Sequence, residues 1–258
     1  MTMTAAKLLE TNLPTRLGWG AELDSSSATA LEPYGAIRWD FSPYFGFRRF
    51  QYLRCDQSGG CTVGQLQSVT ANESIASISG THSTTTIETT GLTADIHVGG
   101  ILYCLDDAGG SGAAPEGESG VITANSTTIV TIGDAFSVAP VDTDAFTIIF
   151  PWAVVDSADG DFASEVAGVA MAAHDQYDWG WFQFEGINPL VDAVAAGTTF
   201  PTGESVVAGT ACVDDGAGDA ADLRIGVIQH GLTTDTVVRK AIVDLFCGSA
   251  LKLNQSTA

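Results

Sequence analysis

The 258-residue chain carries 31 acidic residues against 10 Lys and Arg, a formal net charge of −21. It is 45% hydrophobic and 9% aromatic, enough apolar content to bury a core, which sets it apart from a disordered chain. The sign of the charge argues against a nucleic-acid binder, which grips phosphate with Lys and Arg, and against an anionic membrane surface.

In chain order, residues 1–34 lack apolar periodicity. The start, MTMTAAKLLETNLPTRLG, holds no apolar stretch of the kind a secretory signal carries. No run further on approaches the roughly 20 apolar residues that cross a bilayer, so synthesis and folding in a cytoplasm are expected. TAAKLLE offers a helical turn or two, too short to stand alone. ELDSSSATALEP reads as linker, so an extended N-terminal arm is expected. YGAIRWDFSPYFGFRRFQYLRC alternates aromatics, Arg and β-branched residues as strands with mixed faces do. After a Gly turn, CTVGQLQSV is a second strand. TANESIASISGTHSTTTIETTGLTADIHVGG is rich in Thr and Ser with isolated Ile, which indicates short strands or an extended excursion.

From residue 100, Gly, Asp and Pro punctuate the chain regularly. GILYCL, SGVITAN, TTIVTI, DAFTIIF, WAVVDS, EVAGVAMAA, ESVVAGTACV, DLRIGVIQHG and TDTVVRKAIVDLFC follow one another. Short β-rich runs of this kind predict an all-β fold, a sandwich or small barrel with little helix. The spacing leaves no room for the crossover helices of a parallel sheet. The expected divisions are an arm over 1–34, a β-rich region over 35–99 and a sandwich or barrel domain over 100–258. One stretch, YDWGWFQFEG, concentrates aromatics. In a strand, Tyr177, Trp179 and Trp181 face one side, while Phe182 and Phe184 face the other. A strand apolar on both faces is covered on both, so these five residues belong to a core strand or a subunit interface.

The charge is sorted by place. Residues 1–60 carry six basic and six acidic residues, whereas no Lys or Arg occurs after Arg54 until Arg224. Arg38, Arg48, Arg49 and Arg54 form the densest basic cluster. They read either as strand-edge arginines paired with local acids or as a docking face for an acidic partner surface. Three Lys, with Asp outnumbering Glu, suggest adaptation to high salt, where screening removes self-repulsion.

Chemistry-bearing motifs are weak. Gly216, Gly218 and Ala221 have dinucleotide-loop spacing, but Asp214, Asp215, Asp219 and Asp222 around them would repel pyrophosphate. Asp156, Asp159 and Asp161 are weak candidates for a hard cation, without the spacing of a calcium loop. The four histidines stand apart, and no G-x-S-x-G elbow is present. Two acids could still meet in space as a glycosidase pair. Five scattered cysteines, of which only Cys55 and Cys61 are close, read as small buried residues and not as a disulfide framework or zinc set. Asn72, Asn125 and Asn254 begin N-x-S/T triplets of the kind a chain rich in Ser and Thr produces by chance. No enzyme activity and no cofactor are expected.

FRRFQYLRCDQSGGCTVGQLQSV, then GGILYCLDDAGGSG, YDWGWFQFEG, TGESVVAG, LRIGVIQHG and KAIVDLFC follow in a set order over roughly residues 46–248. That order resembles the decoration or cement proteins that coat the capsids of tailed viruses. Asp178, Trp181 and the missing Lys and Arg of the middle depart from the pattern. The resemblance implies a structural virion protein on the outer capsid surface, made in the host cytoplasm. Its partners would be the major capsid protein and its own copies, most simply as a homotrimer. Residues 35–99 would then lie next to the capsid, with Trp19, Arg38, Arg48, Arg49 and Arg54 in contact and the acidic middle facing solvent. The resemblance carries no catalytic residue. A receptor- or glycan-binding head or tail appendage is the alternative, and a carbohydrate-active β enzyme a third.

Overall fold

The computed structural model describes residues 22–70, 72–75, 78–106, 114–157, 166–193, 205–209, 212–214, 226–230 and 239–246. Every regular element among them is a strand, and the fold is all-β. Strands β1 (Ser26–Ser27), β2 (Ile37–Ser42), β3 (Gly46–Cys55) and β4 (Leu66–Val69) come first. An inserted group follows: β5 (Glu73–Ile75), β6 (Thr86–Glu88), β7 (Ile101–Asp106), β8 (Ser119–Asn125), β9 (Ile129–Ile132) and β10 (Ala145–Ile149). The remainder comprises β11 (Ala153–Asp156), β12 (Val166–Ala170), β13 (Trp179–Ala193), β14 (Ser205–Gly209), β15 (Cys212–Asp214), β16 (Gly226–His230) and β17 (Arg239–Phe246).

The chain forms two compact units. Thr70–Pro151 is an insert, and Met1–Val69 with Trp152–Ala258 make the body. These boundaries differ from the divisions at 34/35 and 99/100 drawn from composition. The cause is non-local pairing: β4 hydrogen-bonds to β11 and β12, strands that lie beyond the whole insert. Sequence neighbours usually pair with one another, and this pairing breaks that habit.

The body is organised around β13. Strand β3 pairs with β13 and β11, β11 with β4, β4 with β12, and β12 with β13 again. The path returns to its start, so five strands close a small barrel. Leu53, Cys55, Cys61, Val154, Ala167, Ala170 and Phe182 fill it, with Trp152 packed against them. Strand β13 has 15 residues and outruns this barrel. Its second half pairs with β17, and β16, β14 and β15 follow until Val213 meets Ala193 of β13. One strand therefore serves two closed paths. A register shift between Gln183 and Glu185 marks the handover, since a bulge bends the strand that carries it. Gly186 follows at φ +87°, and a Cβ there would collide with the Phe47 carbonyl oxygen. Glycine is required at that crossing.

The insert is one antiparallel sheet in the order β5-β10-β7-β8-β9-β6. Leu102, Ile122, Val130, Ile132, Phe146 and Ile148 are among its buried core residues. Strand β8 shows how the pattern dictates this: Gly120 and Ile122 are buried between exposed Ser119, Val121 and Thr123. The insert contains ten Asp and Glu and no Lys or Arg. Among the described residues these acids reach the surface, except Asp144, which is buried and accepts the Val141 N–H. His82 Nδ1 accepts the Glu88 N–H at 3.1 Å, which leaves Nε2 to donate to Asp142 at 3.1 Å.

Candidate functional site

Strand β2, IRWDFS, alternates strictly, and its polarity is inverted. Arg38, Asp40 and Ser42 are buried, while Ile37, Trp39 and Phe41 are 46%, 52% and 49% exposed. An edge strand of a lone soluble domain normally turns its apolar set inward. The hairpin partner β3 agrees, burying Arg48, Phe50 and Tyr52 and leaving Phe47 70% exposed. Register places Phe41 opposite Phe47, Trp39 opposite Arg49 and Ile37 opposite Gln51. The Phe41 and Phe47 rings lie 5.0 Å apart, and Tyr44 in the connecting turn is 67% exposed. With about 200 Å² for a whole large side chain, these five residues present roughly 550 Å² of apolar surface. A standard protein interface buries about 800 Å² per partner.

The stripe continues the barrel interior. Phe47, Arg49, Gln51, Leu53 and Cys55 share one face of β3 by alternation, and Leu53 and Cys55 lie in the barrel core. Beyond the closed barrel the same face overhangs, with Phe47 70% exposed and Arg49 and Gln51 part-buried. Strand β2 ends the sheet and pairs with β3 alone among the described strands.

On the other face, Arg48 Nη2 donates to Asp40 Oδ2 at 3.2 Å, with both side chains almost wholly inaccessible. The Arg48 guanidinium sits 5.3 Å from the Phe50 ring and 6.0 Å from Phe45. Burial lowers its pKa, and Asp40 only partly offsets this. Arg38 lies 5.9 Å over Trp181. Arg54 forks onto Asp56 at 2.6 and 2.8 Å and lies 5.8 Å over both Tyr177 and Trp179. These placements correct the docking role that the sequence suggests for Arg38, Arg48 and Arg54: all three are at most 4% exposed. Arg49 alone reaches the surface in part, sandwiched 4.6 Å from Trp39 and 4.8 Å from Phe184 and bonded to Glu185 at 2.7 Å. Trp19 lies outside the described residues.

The aromatic stretch answers the arginines. Register sets Trp179 opposite Arg54, Trp181 opposite Tyr52 and Gln183 opposite Phe50. Trp179, Trp181, Phe182 and Phe184 are buried within the chain, and Tyr177 turns into the strand at φ +72°. Tyr34 stacks on Trp179 at 4.5 Å, and Tyr52 meets Trp181 edge-on at 5.1 Å. The Tyr52 hydroxyl accepts the Leu31 N–H at 3.2 Å, and burial raises its pKa. Two residue groups with separate expected roles are thus one another's packing partners.

Of the cation candidates, Asp156 accepts a hydrogen bond from Gln67 Nε2 at 2.7 Å, and Asp159 and Asp161 lie outside the described residues. Among the described residues, no three His, Cys, Asp or Glu converge as a metal site. The glycine motif at 216–221 also lies outside them. What the sequence reading misses is the stripe Ile37, Trp39, Phe41, Tyr44 and Phe47. The sequence holds half of the signal: Arg38, Asp40 and Arg48 share one strand parity and include opposite charges, but alternation does not say which face is covered. The chain matches no protein-family model, no curated protein and no solved structure. Fold and surface together define an all-β protein with an exposed aromatic stripe on its β2–β3 hairpin.

Proposed function

We propose that this chain is a structural virion protein of the decoration type, which docks on the outer capsid surface through the β2–β3 hairpin. The observation that carries this reading is the outward stripe Ile37, Trp39, Phe41, Tyr44 and Phe47. A contiguous exposed aromatic patch of this size on a strongly charged chain supports an interaction face. The partner is the major capsid protein, and copies self-associate on the assembled lattice. The acidic insert faces solvent, where its exposed carboxylates stay hydrated. The function is mechanical: binding the assembled shell but not its separated subunits stabilises the shell by mass action.

A second reading has an observation in its favour. Tyr44 is 67% exposed, and Trp39, with Arg49 against its ring, is 52% exposed; aromatic rings at a surface suit stacking on sugars in a receptor- or glycan-binding appendage. Co-sedimentation of the purified protein with shells stripped of it separates the two. Docking predicts saturable binding at many sites per shell, lost by at least tenfold in Trp39→Ser/Phe47→Ser. Equal binding by that variant would refute the docking face. Glycan binding by the free protein, abolished by Trp39→Ser, would favour the appendage.

A further inference from the structure

The sheet of the insert has two unlike faces. Loops cover its core face, where Ile78, Leu92 and Phe136 join the buried strand residues. The opposite face is open at its apolar residues: Ile101, Leu105, Val121 and Ile129 are each between 39% and 49% exposed. Register sets Ile149, Ile101 and Val121 in one row across β10, β7 and β8. Hydroxyl residues make the next row, Ser74, Thr147, Tyr103 and Ser119. A sheet with an apolar side is normally one of two packed layers.

The acids avoid the middle of this face. Of those on the strands, Glu73 and Glu88 belong to the outermost strands β5 and β6, and Asp106 ends β7. Glu88 turns its carboxylate to the Thr81 N–H at 2.8 Å. A unit with ten acids and no Lys or Arg therefore keeps one sheet face clear of charge at its centre.

That placement selects the occupant. A face built for a basic partner would present carboxylates at its centre, where they steer and orient the contact. In an isologous contact each group meets its own kind across a two-fold axis. Carboxylates then repel one another. Hydroxyls both donate and accept, so they can bond to hydroxyls, and aliphatic side chains bury against aliphatic ones without regard to charge. The centre of this face holds the two self-complementary kinds and lacks the self-repelling one.

We propose that two copies of this chain pack these insert faces against each other, in an isologous two-fold contact that makes each open sheet one layer of a sandwich. At about 200 Å² for a whole large side chain, the four exposed apolar residues present roughly 350 Å². A standard interface buries about 800 Å² per partner, so the pair is weak and reversible. The acidic margins of the two inserts approach each other, and salt strengthens the contact by screening them. The inference stands apart from the shell-docking reading, because it uses the insert alone and its test needs no shell.

The test is sedimentation equilibrium of the full chain by itself, from about 10 to about 500 µM, in low and in molar salt. The expected result is a monomer–dimer equilibrium whose association constant rises at least several-fold with salt. Val121→Glu puts like charges into the contact and should weaken the dimer at least tenfold, with Ile129→Glu in its place if that variant does not fold. Phe47→Ser, on the β2–β3 hairpin, should associate as wild type. Monomer at every concentration in molar salt would overturn the proposal. So would association that weakens with salt, that is unchanged in a folded variant of the insert face, or that is lost in Phe47→Ser.

Discussion

The inverted hairpin makes Asp40→Asn the sharpest single perturbation. Asp40 is the counter-ion of Arg48, and Arg48 Nε and Nη1 are buried without another hydrogen-bond partner. The amide keeps the shape of the carboxylate but leaves the Arg48 charge uncompensated in an aromatic pocket. Removing one partner of a buried ion pair costs about 3–5 kcal/mol, against about 0–1 kcal/mol for a surface pair. With a urea m-value of about 2 kcal/mol/M, the midpoint should fall by roughly 2 M. Urea unfolding followed by Trp fluorescence reads this directly, because Trp181 lies in the same layer. The double replacement Asp40→Leu/Arg48→Met should restore stability to near wild type, because burying two charges costs desolvation that apolar residues avoid. A loss of less than about 1 kcal/mol in Asp40→Asn would place the pair on the surface and refute the polarity assigned to β2.

Further outcomes follow from the same geometry. His174 is buried against Phe182 at 5.1 Å, and burial pulls its pKa from 6.5 down to about 4. The unfolded chain therefore binds a proton more readily than the folded one. Stability is full above about pH 6.5 and declines toward pH 4 by about 3 kcal/mol. His174→Phe should flatten that part of the pH–stability profile, and an unchanged slope would refute the assignment. A Cβ on Gly180 would collide with the His174 ring, so Gly180→Ala should cost about 1–3 kcal/mol through overpacking, measured as a lowered thermal midpoint. Phe47→Ser should change stability by no more than about 0.5 kcal/mol, because its side chain is 70% exposed; a large loss would mean that the stripe is intramolecular core. The thermal midpoint should rise from low to molar salt as the charge of −21 is screened, and a flat response would count against salt adaptation.

The all-β character was legible because strand patterning is local. The alternation in SGVITAN and the two-sided apolar run WGWFQF each declare a strand within a few residues. The polarity of IRWDFS was not legible, because alternation fixes which residues share a face but not which face is covered. That depends on Trp181, which arrives from a strand distant in sequence and lies under the Arg38 guanidinium, while Arg48 is lined by the nearby Phe45 and Phe50. The insert escaped notice for a related reason. Its boundaries are set by β4 meeting β11 and β12, and no composition shift marks Val69 or Trp152. Cys55 and Cys61 were visible as a close pair by spacing alone; the backbone anchoring of both on 174–178 is tertiary.

The central claim is that the aromatic overhang of the β2–β3 hairpin is a docking face on a shell. Hydroxyl-radical footprinting of Trp39, Tyr44 and Phe47, in the free protein and on intact particles, addresses it residue by residue. The account predicts fast oxidation of all three in solution and at least several-fold protection on the particle. Equal oxidation of the three aromatics in both states would contradict it.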